Sequence, residues 1–287
     1  MPKATYLPRP EYPRPDRQRG FVHGVDWLNL NGPWEFRFDG ANIGVNDRWF
    51  AADARRWAEQ IIVPFCWESL AAWGEADAAG NDNYFSSRVY RNAVEVTRFN
   101  YRDADRYEIG WYRRVVTIPN NEHWTGKRVI LTVGAADFFT DCWCSGQLVG
   151  RNEGGYIPFE FDLTDALETT ADGERSATLV FRVEDPMDNR EQPVGKQWGW
   201  YSSVSGIWQT VFIEPRAATF LEHFQFTTAL DSQHVEVQAF TRGGTSLRVD
   251  AIAPDGEPFT MTLVVSDGVA FGALKLDRIA LWDPTNP

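Results

Sequence analysis

Cysteine is scarce and odd in number, three residues in 287, so no disulfide framework is expected. Cys142 and Cys144 stand two apart, which puts them on one face of a strand, and no Cys or His cluster lies near enough in sequence to complete a zinc site. With Cys66 they read as small buried core residues. Histidine is also scarce: residues 23, 123, 223 and 234 are too scattered for a Ser–His–Asp constellation. No metal site and no cofactor are expected. No run approaches roughly 18 consecutive apolar residues, so no membrane-spanning helix is expected. The stretch from Met1 to Gln18 has no apolar core and no small-residue cleavage site, which argues against a signal peptide and for a cytoplasmic protein. Positive charge is in deficit, with 28 Lys and Arg against 40 Asp and Glu and a net charge of −12. A nucleic-acid or anionic-membrane partner needs a basic footprint that this chain lacks. Helical signals are weak: Ala52 to Gln60 could hold two turns, and Thr164-Asp165-Ala166-Leu167 could open one more. Strands do not alternate with long helices, and a βα-barrel needs about 250 residues of such alternation.

Aromatics are abundant, at 14% with 13 Trp, which excludes disorder for most of the chain. After a Pro- and Arg-rich segment (1–22), expected to be extended, short runs with period-two patterning follow, each ended by a turn signal. Trp34 to Phe38 stops at Asp39-Gly40, Trp111 to Ile118 at Pro119, and Arg128 to Val133 at Gly134. Asp141 to Cys144 and Gln147 to Gly150 flank Ser145-Gly146, a credible tight hairpin. Thr178 to Val183 and Gln209 to Ile213 follow. Composition shifts near residue 217, beyond which only one Trp, Trp282, remains. There Val235 to Phe240, Leu247 to Ile252 and Phe259 to Val265 alternate cleanly. The expected fold is all-β: a jelly-roll β-sandwich over 23–217, then an immunoglobulin-like β-sandwich over 218–287. At about 70 residues the second is short for its type, which usually takes about 100, and is read as truncated.

Several of these stretches carry a resemblance in a fixed order. Leu30-Asn31-Gly32-Pro33-Trp34-Glu35-Phe36 resembles "L-N-G-x-W-x-F". Val63-Pro64-Phe65-Cys66-Trp67-Glu68-Ser69 resembles "V-P-x-x-W/P-E-S", and Trp111-Tyr112-Arg113-Arg114 resembles "W-Y-R-R". Asn152-Glu153-Gly154-Gly155-Tyr156-Ile157-Pro158-Phe159 resembles "H-E-G-G-Y-x-P-F" with Asn152 in place of His. Ser205-Gly206-Ile207-Trp208-Gln209-Thr210-Val211 resembles "S-G-I-W-Q-T-V", and Leu281-Trp282-Asp283-Pro284-Thr285-Asn286-Pro287 resembles "L-W-x-P-x-x-P". Together they resemble the N-terminal part of glycoside hydrolase family 2, the β-galactosidases, β-glucuronidases and β-mannosidases. The resemblance implies a jelly-roll sugar-binding domain and an immunoglobulin-like domain ahead of a catalytic βα-barrel that bears both catalytic glutamates. Neither glutamate has a matching position here. No catalytic residue is therefore assigned, and the chain, although it resembles part of a hydrolase, is not expected to be active alone.

Two segments are candidates for contact with a β-glycoside. The first runs from Trp73 to Arg106 and opens with Asn81, Asp82, Asn83 and Tyr84, side chains suited to sugar hydroxyls. It reads either as substrate-facing, as inter-domain or subunit packing, or as a mobile excursion. The second contains Lys196, Gln197, Trp198, Trp200 and Tyr201. It reads as cleft-lining, through aromatic stacking on a pyranose, or as core and interface packing. Trp200 falls about where some family members place a carboxylate. Glu153-Gly154-Gly155-Tyr156 reads as a tight turn whose Tyr156, Pro158 and Phe159 pack the sandwich. Asp185-Pro186-Met187-Asp188 reads as an ordinary turn rather than a calcium loop. The leading function is thus the non-catalytic N-terminal portion of a family-2-like β-glycosidase in carbohydrate metabolism. It would brace the barrel and lend loops to the substrate cleft. The alternatives are a stand-alone carbohydrate-binding module and a purely structural assembly domain. Surface left open where a barrel would dock invites a homo-oligomer.

Overall fold

The computed structural model describes residues 20–52, 57–69, 72, 107–186, 188–192, 204–252, 256–276, 279, 281 and 283–285. Among them the chain is built of strands, with a turn of 3-10 helix at Thr164–Ala166. It divides into two compact units, Met1–Pro215 and Arg216–Pro287. Strands of the first unit are β1 (Leu28–Asn29), β2 (Gly32–Phe38), β3 (Glu59–Val63), β4 (Ile109–Ile118), β5 (Arg128–Val133), β6 (Ala136–Asp137) and β7 (Phe139–Cys144). They continue with β8 (Gln147–Glu153), β9 (Phe159–Asp162), β10 (Glu168–Thr169), β11 (Arg175–Glu184), β12 (Gly206–Ile207) and β13 (Val211–Arg216).

Two sheets face each other in this unit. One has the order β1-β13-β5-β9; the larger runs β3-β2-β4-β11-β7-β8, with β10 beside β11. Period-two patterning explains the pairing. In β2, Trp34 and Phe36 point into the core while Pro33 and Arg37 face out. The core between the sheets joins Trp34, Phe36, Tyr112, Leu179, Phe181 and Cys142 of one to Val129, Leu131, Val133, Phe161, Val211 and Ile213 of the other. The sheets approach closely at β8: a Cβ on Gly150 would stand 2.3 Å from the Phe161 ring. At the β7–β8 turn, Ser145 and Gly146 take φ of 49° and 85°, the double positive φ of a two-residue hairpin of the primed kind.

Strands β4 and β11 are buried on both faces. Their second face holds Trp111 and Val180, which pack with Trp49, Ile109 and Trp143 under the turns of residues 40–51. Trp111 stacks on Trp143 at 5.4 Å, and Phe50 on the other side of Trp143 at 5.1 Å. Buried Asp39 fixes this layer. Its carboxylate accepts from the Trp111 indole (3.1 Å) and from the backbone N–H groups of Ile43 (2.9 Å) and Gly44 (2.8 Å).

The second unit has β14 (Phe220–Ala229), β15 (His234–Arg242), β16 (Ser246–Ile252), β17 (Pro258–Ser266) and β18 (Val269–Lys275), in the order β14-β15-β18-β17-β16. Strand β17 pairs with β16 along its length but meets β18 only at Val265 and Ser266. The β16–β17 hairpin therefore swings its inner face over the other three strands. Leu263 approaches Gly272 so closely that a Cβ there would lie 2.3 Å from the Leu263 side chain. Val237, Ala239, Leu263 and Ala270 form the core, lined by Leu247, Val249, Met261 and Val265.

Two expectations need correction. Glu59 and Gln60 do not close a helix; they open β3, because Ile61 and Val63 need the core face of a strand against β2, while residues 53–56 lie outside the described residues. Tyr156 and Pro158 do not pack the sandwich. Tyr156 is 55% exposed and Ile157 65%, and only Phe159 reaches the core, because Gly154 at φ 113° turns the chain outward before β9 begins.

Candidate functional site

All nine residues predicted to meet a sugar, Asn81, Asp82, Asn83, Tyr84, Lys196, Gln197, Trp198, Trp200 and Tyr201, lie outside the described residues. The stems of their two segments are described, and the four stems meet at one corner of the sandwich. Trp67 and Glu68 lead into the first segment and Tyr107 and Glu108 lead out of it. Gln192 leads into the second, and Ser205 with Gly206 leads out.

A polar network ties these stems together. Ser205 is fully buried, and its hydroxyl lies 2.7 Å from the Glu68 carboxylate and within hydrogen-bond reach of Asp185. The Ser205 N–H donates to the other Glu68 oxygen at 3.0 Å, and the Trp67 N–H donates to the Ser205 carbonyl at 3.1 Å. Asp185 accepts from the Gln192 side-chain amide at 2.5 Å, and its backbone N–H donates to the Glu108 carbonyl at 2.8 Å. Every stem thus has a hydrogen bond to another, directly or through Asp185, which directly follows β11.

Apolar packing reinforces the corner. Trp67 is buried against Phe38 at 5.5 Å, and Tyr107 stacks on Phe38 at 4.7 Å. Gly110 permits this, since a Cβ there would stand 2.5 Å from the Trp67 ring. Behind Ser205, Gly206 takes φ +87°, and a Cβ on it would lie 2.3 Å from the Tyr112 hydroxyl. That hydroxyl accepts from the Ile207 N–H at 3.2 Å, and burial holds it protonated far above the ordinary tyrosine range. The glycine of the Ser-Gly-Ile-Trp stretch is therefore a steric and conformational requirement. Gly206 pairs with Asp137 across β12 and β6, and the Asp137 carboxyl fills the space beside Gly155. Trp208 closes the rim: its indole donates to the Gly155 carbonyl at 2.8 Å and meets exposed Tyr156 edge-on at 5.9 Å.

The chemistry of this corner is positional. A retaining glycosidase needs two carboxyl groups about 5–5.5 Å apart with the sugar between them. Here the space between Glu68 and Asp185 is filled by a buried serine hydroxyl. Ser205 has no imidazole to activate it: in this unit His23 packs on Trp27 and His123 pairs with Asp26 at 3.0 Å. Burial, then the neighbouring Glu68 charge, pushes the Cys66 thiol up to about 12, so it stays protonated at neutral pH. No group of three or more metal-ligating side chains occurs among the described residues, and no described helix is long and apolar enough to cross a membrane. Asp185, read from sequence as part of an ordinary turn, is the hub of the network. Its links to Ser205 and Gln192 span 20 and 7 positions, and Glu68 reaches Ser205 across 137, which no local pattern reveals.

Comparisons place this geometry. The chain is 23% identical over 300 residues to a β-glucuronidase of Canis lupus familiaris, covering 95% of this chain and 40% of that protein. It is 26% identical over 254 residues to a β-galactosidase of Yersinia pestis, covering 88% of this chain and 21% of that protein. Among solved structures, a Lactobacillus rhamnosus β-glucuronidase superposes with a TM-score of 0.54 at 20% identity, over 92% of this chain and 41% of the other. The chain thus spans about two fifths of the length of these β-glucuronidases. The model for the sugar-binding domain of glycosyl hydrolases family 2 matches residues 28–214, from β1 into β13 and through every stem of the corner. Matched in this way over well more than half of its length, the chain belongs to glycosyl hydrolase family 2.

Proposed function

We propose that this chain is the non-catalytic N-terminal portion of a β-glycosidase, with residues 23–217 as its jelly-roll sugar-binding domain and 218–287 as part of an immunoglobulin-like sandwich. Its work is to brace a catalytic barrel and to present the segments 73–106 and 193–203 to the rim of a substrate cleft. One observation carries this reading: the described stems of both segments are joined by a single network, Glu68–Ser205–Asp185–Gln192, at the ends of the interior strands β4 and β11. Binding groups are positioned best when rigid elements hold their supports, and this network is such a support. The partners are a β-glycoside and the barrel.

Hydrolysis and binding by the purified chain test the reading. Chromogenic β-galactosides, β-glucuronides, β-mannosides and β-glucosides are expected to show no turnover above the buffer blank. Turnover would place catalytic carboxylates within these residues and overturn the proposal. Calorimetric titration with the parent sugars separates the remaining readings. Clear binding without turnover would favour a stand-alone carbohydrate-binding module, whereas silence agrees with segments that need the barrel to complete the site.

A further inference from the structure

We draw no further inference here: the strongest candidate, the surface patch on the turn between β8 and β9, where Tyr156 and Ile157 are exposed and Tyr156 meets Trp208 edge-on, carries none, because nothing in the structure shows what covers it.

Discussion

At the residue scale, fixed charges in this protein are held by short local bonds, and Asp162 shows what that implies for pH. It ends β9, beside β5. Partial burial alone would raise its pKa. The hydroxyl of Thr164 (2.5 Å), the Thr164 N–H (3.0 Å) and the Arg128 guanidinium all favour the charged form and outweigh it, so the carboxyl titrates below its usual range. A depressed folded-state value means that the unfolded chain binds the proton more readily. Asp162 thus contributes stability that is complete above the unfolded value, about 3.9, and is lost as pH falls through the lower folded one. Urea midpoints between about pH 6 and pH 2.5 should drop less steeply for Asp162→Asn than for the unmodified chain. Equal slopes would show that the carboxylate gains nothing from these partners. The Asp162–Thr164 bonds are legible in the sequence as Asp-Leu-Thr at a strand end, a familiar side-chain turn. Arg128 is not, because it arrives through the β5–β9 ladder.

At the element scale, period-two patterning located most strands, since a strand that buries one face must alternate. It also placed the Ser145-Gly146 turn, where two positive φ values are needed. It failed where tertiary context overrides pattern. The segment Ala52 to Gln60 has helix formers, but Glu59 and Gln60 serve β3 because β2 offers a partner. Strand β18 passed unread because its inward side chains, Ala270 and Gly272, are small. They must be small, since Leu263 packs down on Gly272. Gly206 is a second such position, now on a two-residue strand. Gly206→Ala forces a Cβ to 2.3 Å from the Tyr112 hydroxyl at a φ that L side chains avoid, and displaces the acceptor of the Ile207 N–H. The expected cost is about 2–4 kcal/mol, read as a lower denaturation midpoint at unchanged m-value. Gly154→Ala is the comparison. It also has positive φ but open space around its Cβ, so its loss should be about 1 kcal/mol. Equal losses would mean that backbone strain alone, and not the close approach to Tyr112, fixes the glycine at 206.

At the scale of the whole molecule, the family and the all-β fold were legible from short motifs in a fixed order. The meeting of the segments' four stems was not. It depends on Glu68 reaching Ser205 across 137 positions and on Asp185 linking both to Gln192, a network visible only once β11 and β12 are packed. If the network is a self-sufficient clamp, the first segment is dispensable for folding. Replacing residues 73–106 by a Gly-Ser linker of about ten residues leaves a connection whose closure entropy varies only logarithmically with length. The bonds of Glu68 to Ser205 and of Asp185 to Glu108 remain, as do the contacts of Phe38 with Trp67 and Tyr107. The shortened chain should keep its near-ultraviolet dichroism and melt within about 4 °C of the parent, a shift that corresponds to about 2 kcal/mol in a protein of this size. Glu68→Gln in the shortened chain should then cost more than in the parent, because the clamp alone would hold the stems. A shortened chain that fails to fold would make residues 73–106 part of the core rather than cargo on it. The site would then have to be sought on the 193–203 segment and the Tyr156–Trp208 rim instead.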